Sequence, residues 1–136
     1  MIQYVTPLDK ILQEASSIQD FLEVQAPDEM QPIIQHMTEL EIYLARTGKL
    51  YADANYHLNE KMNSEVMKTL KETSKAFTTA SAINALVKSI CKEERYAVDW
   101  TDRLNSACTH NIDACRTVIS KLKEEMRLSG FGNQQR

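Results

Sequence analysis

Cys108, His110 and Cys115 are the residues of this 136-residue chain whose types most readily do chemistry, because thiolates and imidazoles bind zinc. Ligation from a single helix needs side chains spaced by about three or four residues. Cys108 and Cys115 are seven apart, about 10 Å along a helix axis at ~1.5 Å per residue, and His110 is turned away from both. No CxxC or HxxxH spacing supports them, so they read as two small core cysteines, with no metal and no cofactor expected. Three cysteines, an odd number without the spacing of a disulfide framework, point to a reducing compartment.

Three further groupings could act. His57 falls near Asp99 if the chain folds as a hairpin, an arrangement that suits a general base. No nucleophile elbow, Gly-rich phosphate loop or pair of pocketed carboxylates accompanies it, so an enzyme is not expected. Tyr56, Tyr96 and Trp100 with Arg95 and Arg103 form an aromatic and cationic set of the kind that dominates protein interfaces, and also one that can cover the middle of a core. Lys68, Lys71 and Lys75 recur at i, i+3, i+7, and Lys88 and Lys92 at i, i+4 with Arg95 beyond. Brought to one tip, these rows could grip phosphates, although Glu65, Glu72, Glu93 and Glu94 intersperse them as on a solvated helix.

Helices must position all of these. Only three Gly and three Pro interrupt the chain, and no alternating strand pattern appears. Residues 83–126 contain neither breaker and repeat apolar residues at helical spacing, a run of roughly 65 Å that needs an equally long partner. Thr6-Pro7 opens a first helix over 7–24, with Thr6 as cap, and Pro27 and Pro32 place a turn or a kink between Gln25 and Gln31. A second helix follows over 32–75, through Gly48, where Ala45, Gly48 and Ala52 share a face suited to close approach. A turn at 76–79 leads to a third helix over 79–128, capped by Thr78 or Thr79, and residues 131–136 read as a flexible tail. The expected architecture is a single all-α domain: a long antiparallel hairpin, residue i opposite 156 − i, with a shorter N-terminal helix along it. So thin a hairpin leaves apolar flanks, and a homodimer is expected.

Charge is uneven. The first 44 residues carry Asp9, Glu14, Asp20, Glu23, Asp28, Glu29, Glu39 and Glu41 against Lys10 alone, while the remainder has a modest excess of Lys and Arg. The acidic segment reads as a solvated face, as an internal mate for the basic hairpin, or as a surface for a basic partner such as the channel of a nucleic-acid enzyme. The apolar runs are too short to span a membrane and no secretory pattern opens the chain, so a cytoplasmic protein is expected.

The runs LEIYLARTGKLYADANYHLNEKM and YAVDWTDRLN…CTHNIDACR, within residues 39–127, resemble small all-helical accessory proteins of bacteriophages and integrated mobile elements. The resemblance assigns no catalytic residue. It implies a context, in the cytoplasm of a bacterial host, of recombination, packaging or inhibition of host defence nucleases. The resulting expectation is a non-catalytic protein that binds and modulates a nucleic-acid-processing protein, anti-CRISPR-like in its concrete form. The partner would meet Tyr56, Arg95, Tyr96, Trp100 and Arg103. The alternatives are a nucleic-acid-binding accessory using Lys68, Lys71, Lys75, Lys88 and Lys92, and a structural oligomer.

Overall fold

The structure, a computed structural model, describes residues 4–72 and 79–134, with side chains as far as Gly130. Among these residues there are four α-helices and no strand: α1 (Leu8–Glu23), α2 (Met30–Glu72), α3 (Ala80–Ile90) and α4 (Lys92–Gln134). α2 and α4 form the long antiparallel pair, and α1 packs on both. No helix among the described residues is long and apolar enough to cross a membrane.

The first helix forms as its spacing requires, burying Ile11, Ala15 and Ile18. Its cap differs from expectation. Pro7 occupies the cap position and its carbonyl accepts the Ile11 N–H at 2.9 Å, while Thr6 is engaged by α2 instead. The turn around Pro27 occupies 24–29, and α2 then starts at Met30, two residues before Pro32. First-turn N–H groups have no intrahelical acceptor, so a proline there removes no bond.

α2 runs unbroken through Gly48, but not because the small residues meet α4. Ala45, Gly48 and Ala52 are all exposed, and the nearest neighbour to a Cβ at Gly48 would be the Asn105 amide at 3.8 Å. The face turned inward is Ile33, Leu40, Thr47, Leu50, Ala54 and Leu58. At this level Thr47 meets Asn105 rather than residue 109, whereas Lys61 pairs with Glu94, within one residue of the expected register.

The expected third helix is two. Cys91, at φ −95° and ψ 30°, separates α3 from α4. The break is a bend, since the Cys91 N–H still reaches the Val87 carbonyl and the Arg95 N–H the Cys91 carbonyl, each at 3.0 Å. α3 offers two apolar stripes, Ile83, Leu86, Ile90 or Ile83, Val87, Cys91. The second is buried, and Leu86 and Ile90 stay at the surface. Thr79 caps α3, its hydroxyl accepting the Ala82 N–H at 3.1 Å; the rest of the expected turn at 76–79 lies outside the described residues. α4 passes through Gly130 without a left-handed residue and reaches Gln134, so the helix extends over 131–134 of the expected tail, and 135–136 are outside the described residues.

The core has two parts. Ile11, Ala15, Ile18, Leu50, Ala54, Leu58, Val87, Cys91, Ala97, Val98 and Leu104 form one, and Ile33, Leu40, Ile112, Cys115 and Ile119 the other. Between them lies a polar step: the Asn105 amide donates to the Leu44 carbonyl and the Thr47 hydroxyl, each at 3.0 Å.

Candidate interaction surface

The acidic N-terminal segment is fastened to the hairpin at several places, the first of them at Asp53. Asp53, buried on α2, accepts the Thr6 N–H at 2.9 Å and the Lys49 ammonium at 2.6 Å, and His57 donates its Nε2–H to the Thr6 carbonyl at 2.6 Å. Burial alone would raise the Asp53 pKa, but the bonds from Lys49 and Thr6 outweigh it and hold the carboxyl below its ordinary value. His57 is thereby occupied by the N-terminal strand rather than by Asp99, which is exposed. Further along, Arg46 grips Glu14 through two nitrogens at 2.9 and 2.6 Å, and the Arg46 pKa rises because of that pairing.

Of the eight carboxylates in the first 44 residues, Glu14 alone is in an ion pair among the described residues. Asp9, Asp20, Glu23, Asp28, Glu29 and Glu41 are exposed. Glu14 mates with the hairpin through Arg46, and most of the segment's charge faces outward.

An aromatic pair adjoins it. Tyr96 and Trp100 lie with ring centroids 5.4 Å apart, Tyr96 exposed and Trp100 half-buried. The Trp100 indole N–H donates to Gln19 Oε1 at 3.1 Å, and the Gln19 amide in turn donates to Glu23 at 3.1 Å. Gln19 thus links the Trp100 ring on α4 to the Glu23 carboxylate on α1. Arg103 is exposed in a shallow groove on α4 among Asp99, Asp102 and His110.

The other two members of the expected set lie elsewhere. Tyr56 is on the outer face of α2, packed edge-on to His57 with centroids 5.9 Å apart, and is not joined by a ring contact to Tyr96 or Trp100. Arg95 is half-buried beside the bend, its Nε enclosed without a partner. There Glu94, almost fully buried, takes the Lys61 ammonium on Oε1 at 2.9 Å and leaves Oε2 unpaired. The bond to Glu94 raises the Lys61 pKa.

Lys68, Lys71, Lys88 and Lys92 are all exposed at the end where α2 meets α3, with Glu72 the one carboxylate among residues 67–72 and 79–92; Lys75 lies outside the described residues. Cys91, Cys108 and Cys115 are buried free thiols whose pKa values burial pushes up, and His110 is exposed. No group of three His, Cys, Asp or Glu among the described residues is placed to hold a metal. A cleft of about 160 Å³ between the end of α1, α2 and α4 is lined by His36, Asn111 and Cys115 amid aliphatic side chains.

Gln19 and the Lys61–Glu94 pair had no sequence signal beyond polar residues recurring within apolar stripes. Asp53 had one: a carboxylate flanked by Leu50, Ala54 and Leu58 on a buried face needs a partner. Compared with protein-family models, curated proteins and solved structures, the chain has no match in any of the three.

Proposed function

We propose that the chain is a non-catalytic interaction protein that occupies the basic, nucleic-acid-binding surface of a nucleic-acid-processing protein and so modulates it, as an inhibitor of a host defence nuclease would. One observation carries this reading: Asp9, Asp20, Glu23, Asp28, Glu29 and Glu41 are exposed and in no ion pair among the described residues, and Gln19 links Glu23 to Trp100 of the Tyr96–Trp100 pair. Outward carboxylates beside aromatic rings offer a cationic channel the charge and stacking that nucleic acid offers it. Within the expected partner set this favours Tyr96, Trp100 and Arg103 over Tyr56 and Arg95.

Immobilised protein exposed to extract of phage-infected bacteria tests it. One salt-sensitive nucleic-acid-processing partner is expected, absent when Asp20, Glu23, Asp28 and Glu29 are changed to Asn or Gln. An empty capture, or a capture indifferent to the neutralised variant, refutes it. The exposed Lys68, Lys71, Lys88 and Lys92 favour a second reading, direct contact with nucleic acid at the α2–α3 end. That reading requires oligonucleotides to be retained at low salt and released by reversing these four charges.

A further inference from the structure

The cleft of about 160 Å³ beside the end of α1 opens into a wider hollow. That hollow, of about 610 Å³, lies between the 24–29 turn, Met30 of α2 and the far part of α4. The two adjoin on every wall: Val118 and Leu122 are one turn apart on α4, Ile33 and Met30 one turn apart on α2, and Ala26 and Asp28 flank Pro27 in the turn. Together they form a groove with an apolar floor and a methionine, Met126, 62% exposed at its rim. Its charges have one sign. Asp28, Glu29 and Glu125 line it, exposed and in no ion pair among the described residues. No Lys or Arg among the described residues lines it. Arg116 and Arg127 are drawn to Asp113 and Glu124, at 3.2 and 2.6 Å, and Lys121 and Lys123 point about 100° to either side of Leu122.

We propose that this groove takes a basic segment of a protein partner, with one tyrosine of that segment seated in the cleft. Three carboxylates on the groove wall, with no cation of the chain's own among them, select Lys and Arg along the segment. The size of the cleft selects a single ring, since an apolar cavity of about 150 Å³ holds benzene. His36 and Asn111 select a hydroxyl on that ring: both line the cleft half-buried, and neither has a hydrogen-bond partner among the described residues. His36 is held by stacking on Phe21, with centroids 4.8 Å apart, which leaves its ring nitrogens for the occupant. The inference rests on the reading of the chain as a binder of a basic surface, and names where that partner inserts.

The probe is a fluorescein-labelled synthetic peptide of Lys and Leu around one central Tyr, and its anisotropy at low salt is the measurement. Binding is expected, with shifts of the Met30 and Met126 methyl signals. It should weaken about tenfold when Ala replaces the peptide's Tyr, and as much in Ala114→Phe, which fills the cleft from an exposed position on α4. Asp28→Asn, Glu29→Gln and Glu125→Gln together should release the peptide, whereas Asp9→Asn with Glu41→Gln, off the groove, should not. No binding, indifference to the Tyr or to Ala114→Phe, or equal release by the Asp9 and Glu41 changes overturns the proposal. Capture of a partner from extract without peptide binding would sink the groove alone; peptide binding beside an empty extract capture would sink the broader reading alone.

Discussion

Changing Asp53 to asparagine is expected to loosen the N-terminal strand without disturbing the hairpin, and the cost can be worked from its two bonds. The Thr6 N–H meets a buried carboxylate at 2.9 Å. A hydrogen bond to a charged group contributes about 1.5–3 kcal/mol and a neutral one about 1, so an Asn carbonyl in the same place forfeits about 1 kcal/mol. The Lys49 partner is 45% exposed, so its ion pair, an i,i+4 helix pair screened by solvent, adds only about 0.3–0.5 kcal/mol. The expected loss is roughly 1.5 kcal/mol at pH 7 in urea unfolding, with Thr6 amide exchange about tenfold faster.

Its pH dependence gives the sharper discrimination. The Asp53 pKa is held below its ordinary value, so the stabilisation is complete above the unfolded carboxyl value of about 3.9 and is lost as pH falls through the native value. The gap between wild type and Asp53→Asn is therefore constant from neutral pH to about 5 and closes in the acid range below about 4. A gap that persists undiminished at the lowest pH where both proteins remain folded would show that shape rather than charge fastens Thr6. The absence of any gap at pH 7 would refute the anchoring altogether.

Two other perturbations test the interior. Lys61→Met strands the buried Glu94 carboxylate and is expected to cost up to about 3 kcal/mol, while Lys61→Met with Glu94→Leu recovers most of that loss in the same denaturation assay. The three thiols, enclosed and with raised pKa values, are expected to react with a disulfide reagent only as the protein unfolds, in step with the loss of helical circular dichroism.

The helices and their order were legible because breakers and periodicity coincide: Pro27 marks the turn, and Thr79 opens α3. Rotational phase was less so. In α3 the apolar residues fit either of two stripes, so periodicity could not choose between Leu86 and Val87, and the bend at Cys91 had no Gly or Pro to announce it. Ala45, Gly48 and Ala52 were legible as a small-residue face, but smallness does not say which neighbour it admits, and they lie on the surface. The expected interaction set divided for the same reason. Tyr96 and Trp100 are one turn apart on one helix and meet, whereas Tyr56 stands on the outer face of α2 with its ring against His57.

That contact also partitions the molecule mechanically. With Asn105 and Thr47 between two apolar clusters, the half built on Ile33, Leu40, Ile112 and Ile119 shares few side chains with the half held by α1, Leu50 and Leu104. Cooperative opening is set by contiguous apolar contact, so the two halves are units that can breathe separately. The half at the open end of the hairpin, where α2 begins and α4 projects past it, has the smaller cluster and is the one to fray first. α1 couples the two halves across the step, its Ile11, Ala15 and Ile18 in one cluster and its Phe21 and Leu22 packed on the other.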